Sequence, residues 1–221
     1  MSTIKVGPSI TSDLSCSTAN RQLLSDAGTF AINIVGGAGC GKTSLIKATV
    51  ERLILRWRIG VITADPGTRR DAERLVGCAE QVVQVQTGPQ DFLHPEHIRA
   101  ALEQFDLPEL DLLLIENISS LIGPAQYDLG QNAVVSLFSV AAGDDKAAKY
   151  PAIVRMADLV LLNKIDLLGV APFNVAAFKA EVARLNPSAD VIEASTLRGD
   201  GLETWFKWLG ERQKAVFDPA I

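Results

Sequence analysis

Histidine occurs twice in the 221 residues and cysteine three times, at Cys16, Cys40 and Cys78. An odd number of scattered thiols with no C-x-x-C pair argues against a disulfide framework and suits a reducing compartment, so a cytoplasmic location is expected. Positive charge is also short. There are 21 Lys and Arg against 26 Asp and Glu, a net charge of −5 and a pI near 5.1. With no basic stripe, nucleic acid is not an expected partner. No apolar run approaches the ~18 residues that span a membrane. The first residues, MSTIKVGPSITSDLSCSTANRQ, lack the apolar segment of a secretory signal. Internal repeats and low-complexity tracts are absent too. What the chain does have is 48% hydrophobic residues, enough for a large core, at a length that fits one domain with short extensions.

That core is organised around FAINIVGGAGCGKTSLIKATVERLIL, residues 30–55. A strand-like run, Ala31 to Val35, breaks into Gly36-Gly37-Ala38-Gly39-Cys40-Gly41-Lys42-Thr43. Helical spacing then resumes at Leu45, Ile46, Thr49, Val50, Leu53 and Ile54. Residues 36–43 fit G-x-x-x-x-G-K-[ST], the P-loop. Glycines let backbone N–H groups turn inward around a phosphate, and the following helix points its positive end at the same place. Lys42 is expected to reach the β- and γ-phosphates and the Thr43 hydroxyl to complete a Mg²⁺ shell, with Ser44 beside it. Cys40 stands in for a small residue, presenting its amide rather than its thiol.

Strand and helix patterns alternate from there on. Strands are expected at 31–35, 60–63, 82–86, 110–116, 133–141, 158–163 and 190–194. Helices are expected at 43–57, 70–77, 90–105, 173–185 and 202–215, and a polar loop at 142–151. The runs Leu112–Ile115 and Leu159–Leu162 do not alternate with polar residues, as expected of strands buried on both faces. The predicted fold is an α/β P-loop NTPase domain: a mostly parallel, twisted sheet of about seven strands with helices on both faces. Ligands of such sheets sit at the carboxyl ends of the strands. The predicted organisation is an arm at 1–28, poorly ordered or a short helix, a GTP-binding domain at 29–216, and a tail at 217–221.

The base is predicted from Asn163-Lys164-Ile165-Asp166, directly after an apolar strand. This is similar to the N-K-x-D motif of GTPases. A carboxylate at Asp166 can accept both the ring N1–H and the exocyclic N2–H of guanine, which adenine does not offer, while Asn163 and Lys164 tether the loop. Ser195 and Thr196 fall where a further loop touches the base, although Thr196 and Leu197 depart from the usual S-A-K pattern. For Mg²⁺ and hydrolysis, Glu116 emerges at the Walker-B position, and Asp65 ends the second strand of the series, placed to ligate Mg²⁺ or orient water. Asp71 serves either this chemistry or the cap of the next helix. Lys42, Asp65 and Glu116 are the catalytic candidates. Arg69 and Arg70 are arginine-finger candidates set against ordinary solvated arginines, and the expected intrinsic rate is slow.

Together these residues resemble the HypB GTPases, which help insert nickel into [NiFe] hydrogenase. The resemblance runs from about Asn20 to Leu209. It includes Gln86-Thr87-Gly88, Ile115-Glu116-Asn117, Pro124-Ala125 through Asp128-Leu129-Gly130, the Lys149-Tyr150-Pro151 loop and the Trp205 to Trp208-Leu209 end. It implies a SIMIBI-type fold, GTP and GDP as ligands with Mg²⁺, and a homodimer when GTP is bound. The implied partner is a HypA-like protein or a hydrogenase large subunit.

The chain departs from that family at its metal site. The family's Cys-His pair aligns with Asp91 and Phe92 and its later cysteine with Gly123, and the usual glycine after Glu-Asn-x is Ser119. A replacement site for Ni²⁺, Zn²⁺ or Co²⁺ at Asp91, His94 and His97 competes with a capped helix start at Pro95. Two readings follow. One is an enzyme, a GTPase serving metalloenzyme maturation. The other is a GTP-gated dimerising assembly factor that handles no metal.

Overall fold

In this computed structural model the described residues are 2–5, 13–65, 75, 77–88 and 92–218. The sheet has eight strands: β1 (Ser2–Lys5), β2 (Phe30–Gly36), β3 (Ile59–Asp65), β4 (Gln81–Gln86), β5 (Leu112–Glu116), β6 (Ala133–Ser139), β7 (Leu159–Asn163) and β8 (Asp190–Glu193). Every pairing is parallel, and the order across the sheet is β1-β4-β3-β5-β2-β6-β7-β8. The helices are α1 (Asp13–Ala27), α2 (Lys42–Leu53), α3 (Pro95–Leu102), α4 (Lys146–Lys149), α5 (Pro151–Arg155), α6 (Val175–Leu185) and α7 (Leu202–Phe217). None is long and apolar enough to cross a membrane, among the described residues.

Strands β2, β5, β6 and β7 are buried along their whole length, which is why their sequences run apolar instead of alternating. Alternate residues of β2 serve opposite faces. Phe30, Ile32 and Ile34 pack with Leu45, Ile46 and Val50 of α2 and Trp205 and Leu209 of α7. Ala31 faces the cluster that holds Leu24 of α1 and Ile98 and Ala101 of α3, and Val35 faces the one that holds Ile153, Phe178 and Val182. Trp205 ties α7 to α2, donating from Nε1 to Thr49 Oγ1 at 2.9 Å.

The sequence pattern differs from the structure most at the start of the chain. Ser2–Lys5 is an eighth, edge strand, paired with β4 through its backbone. Its single buried-type residue, Ile4, gives no apolar pattern, and an edge strand needs none. Residues 13–27, expected as arm or short helix, form a helix of 15 residues. Its buried Asn20 donates from Nδ2 to Pro95 O at 2.8 Å and Leu129 O at 3.1 Å. Gly130 lets the segment before β6 approach this helix, since a Cβ there would lie 2.5 Å from Ser17 O. The expected loop at 142–151 contains α4 and the start of α5. Helix α2 stops at Leu53, short of the expected Trp57, and α3 covers only Pro95–Leu102 of the expected 90–105. The helix expected at 70–77 lies largely outside the described residues.

Candidate functional site

The carboxyl ends of β2, β5 and β7 meet at one cleft. It has a volume of about 230 Å³ and is lined by Gly39, Gly41, Lys42, Thr43, Ser44, Glu116, Ser119, Lys164 and Thr196. Each strand stops there for a local reason. After Gly36 the chain turns through residues 37–41, and Gly41, in the left-handed region at φ 106°, starts α2. A Cβ at Gly41 would sit 2.2 Å from Asn163 Nδ2, on a backbone conformation that side chains strain to adopt. The P-loop and the end of β7 therefore touch backbone to side chain.

Lys42, the first residue of α2, is only 5% exposed. Its Nζ donates to Gly36 O at 3.0 Å and to Ser119 Oγ at 2.8 Å. One residue on, Thr43 Oγ1 donates to Glu116 Oε1 at 2.6 Å. This links the P-loop to the end of β5. Thr63 on β3 lies in register with Glu116, and its buried Oγ1 has no hydrogen-bond partner. Hydroxyl and carboxylate oxygens in contact, with a further buried hydroxyl at the next strand, are the hard donors that Mg²⁺ and its bound waters take. The residues present fit that ion. Asp65 closes β3; its side chain, like Arg69, Arg70, Asp71 and Asp91, lies outside the described residues.

Asn163, the last residue of β7, is fully buried and joins three loops. Its Nδ2 donates to Cys40 O at 2.9 Å and Thr196 Oγ1 at 3.3 Å, and its Oδ1 accepts from Thr196 N at 3.1 Å. Lys164 follows at φ 63°, turning the chain so that Asp166 comes back toward Ser195. Ser195 Oγ donates to Asp166 Oδ1 at 2.5 Å and accepts from Arg198 N at 3.1 Å. Asp166 is thus fixed by a hydroxyl while it stays partly exposed. Lys42, Thr43, Glu116, Asn163, Lys164, Asp166, Ser195 and Thr196 come together on one side of the sheet.

Burial pushes the Cys40 thiol up, and the neighbouring Lys42 charge opposes it. The sulfur packs inward, 2.8 Å from where a Cβ on Gly36 would stand. Among the described residues no group of three or more His, Cys, Asp and Glu is arranged to hold a metal. His94 is the N-cap of α3, and its backbone N–H donates to His97 Nδ1 at 3.0 Å. His97 is buried, and the ring of His94 lies against Tyr127, centroids 4.4 Å apart. His94 and His97 stand at a capped helix start in this structure.

Sequence reasoning missed the role of one residue of the cleft, Ser119, and of one in register beside it, Thr63. Ser119 stands out in the sequence only as the replacement for a usual glycine, yet its hydroxyl contacts Lys42. Thr63 is a polar residue inside an apolar strand, and that was its only signal. The pair Asn117 Nδ2 to Asn33 Oδ1, 3.1 Å and buried, holds the loop after β5 in the same way.

Residues 30–193 match the family model described as CobW/HypB/UreG, nucleotide-binding domain. The chain is 40% identical over 197 residues to a hydrogenase maturation factor HypB of Azotobacter vinelandii, covering 89% of this chain and 65% of that protein's length. It is 34% identical over 197 residues to a probable hydrogenase maturation factor HypB of Methanocaldococcus jannaschii, covering 89% of each. The crystal structure of HypB from Helicobacter pylori in complex with nickel superposes with a TM-score of 0.89 at 27% identity, over 96% of this chain and 99% of that one.

Proposed function

The chain belongs to the CobW/HypB/UreG family of nucleotide-binding domains, among its HypB members, and from this we propose that its cleft binds GTP with Mg²⁺ and hydrolyses it to GDP and phosphate. The observation that carries the reading is the joining of a P-loop and an N-K-x-D loop by one buried side chain, Asn163. Asp166 accepts the two guanine N–H groups, and the hydroxyl of Ser195 holds it at the right angle. The amides of residues 37–43 cradle the inner phosphates. Lys42 places its charge between the β- and γ-phosphates, beside the β-phosphate oxygen that takes the electron pair of the breaking bond to the γ-phosphorus. Thr43 and Glu116 would hold Mg²⁺, which when bound would supply further charge neutralisation at the phosphates. Asp65, at the end of β3, orients the attacking water.

The use of this turnover is the maturation of a metalloenzyme, with nickel insertion into hydrogenase the favoured case. GTP drives dimer formation, and hydrolysis releases a HypA-like or hydrogenase partner. The support is the naming of the relatives, one of them solved with nickel. A second reading has its own observation: His97 Nδ1 is committed to the His94 amide. On that reading GTP times the docking of a partner, and the protein handles no transition metal.

Phosphate release from GTP tests the activity. Wild type with Mg²⁺ is expected to turn over slowly, and Lys42→Ala to lose at least ~100-fold, the scale of removing one group that stabilises transition-state charge. Undiminished release by Lys42→Ala would contradict the assignment. Calorimetric titration of Ni²⁺ into the GDP-bound and GTP-analogue-bound protein separates the two uses. Tight binding in the GTP-analogue form alone supports nickel handling, and no binding in either form supports the timing role.

A further inference from the structure

Lys42 holds two acceptors of different origin. Gly36 O belongs to the P-loop itself. Ser119 Oγ, 2.8 Å from Nζ, belongs to another strand end, three residues past Glu116. Ser119 is exposed and lines the phosphate end of the cleft. The loop that carries it is fixed on both sides. Asn117 is bonded to Asn33, and Ser120 Oγ accepts from Ile122 N at 3.3 Å and Gly123 N at 3.4 Å. Leu121 packs toward the P-loop, its Cγ 3.5 Å from where a Cβ on Gly37 would stand. The fold, then, sets the hydroxyl beside the ammonium.

A phosphate chain laid along the amides of residues 37–43 has its inner groups wrapped by the β2–α2 turn. The Lys42–Ser119 pair lies beyond that turn, on the β5 side, the direction in which a third phosphate extends the chain. We infer that Ser119 is a specificity-determining residue that distinguishes nucleoside triphosphate from diphosphate. A diphosphate leaves the Lys42–Ser119 hydrogen bond in place. A triphosphate takes the Lys42 ammonium for its terminal oxygen, and the freed Ser119 O–H donates to the same phosphoryl group. One neutral-acceptor bond is exchanged for two bonds to an anion, which are the stronger kind. A glycine at this position offers a backbone N–H and no such exchange.

The inference rests on the GTP-binding reading above, and the test separates the two. Calorimetry with Mg²⁺ would compare GDP and the β,γ-imido analogue of GTP on wild type, Ser119→Ala and Ser119→Thr. Ser119→Ala is expected to lose about tenfold in affinity for the triphosphate analogue, the scale of one hydrogen bond to a charged group, with GDP affinity unchanged and Ser119→Thr restoring the difference. Equal loss for both nucleotides, no loss, or tighter triphosphate binding would overturn it. A wild type that prefers adenine nucleotides would overturn the base reading instead, and the same comparison with ADP and the β,γ-imido analogue of ATP would still decide Ser119.

Discussion

Asn163 and His97 are both buried polar side chains, and each is satisfied in a way that decides what it can do. Asn163 spends its amide on Cys40 O and on the Thr196 hydroxyl and backbone N–H, so it positions loops. His97 spends Nδ1 on the amide of His94. Burial, then the neighbouring His94, holds the His97 imidazole below its ordinary value of 6.5, with Glu96 opposing. The unfolded chain therefore binds this proton more readily than the folded one. The resulting stability is present in full above about pH 6.5 and is lost as the pH falls from there through the folded value. Urea midpoints at pH 7.5 and 5.5 check this. Wild type is expected to lose more than His97→Gln, which keeps a side chain able to reach back to the cap. Equal losses would contradict a titrating His97.

At the scale of elements, α1 shows how a helix with a weak sequence signal is held. It buries Leu24 against α3 and the sheet, and it fixes Asn20 and Arg21 to the turn before β6. Leu24→Ala should cost about 2–5 kcal/mol, as for other fully buried leucines, read as a lower urea midpoint with an unchanged slope. A change below ~0.5 kcal/mol would mean that α1 is not part of the cooperative unit. The polar positions that anchor α1, Asn20 and Arg21, read as surface in the sequence, and their partners lie more than 70 residues away. Strands β5 and β7 were legible because burial on both faces leaves continuous apolar runs. Strand β1 was not, because its pairing is backbone only. The P-loop and N-K-x-D loop were legible because their chemistry fixes residue types at short spacing. Ser119 and Thr63 were not, because their roles arise from neighbouring strands brought into register.

Across the whole molecule, the all-parallel order places β5, β2, β6, β7 and β8 side by side, so the ends of β2, β5, β7 and β8 bring the site residues to one end of the sheet. Lys42 and Thr43 come from the turn after β2, Glu116 and Ser119 from the end of β5, and Asn163 to Asp166 from β7. Ser195 and Thr196 follow β8, the strand beyond. On the proposed function, this end of the sheet selects a guanine nucleotide. Calorimetric titration of GDP and ADP into wild type and Asp166→Ala tests it most directly. Two hydrogen bonds to a charged acceptor, together about 3 kcal/mol, predict GDP binding ~100-fold tighter than ADP in wild type, with that preference gone in Asp166→Ala. ADP binding as tightly as GDP in wild type would contradict it.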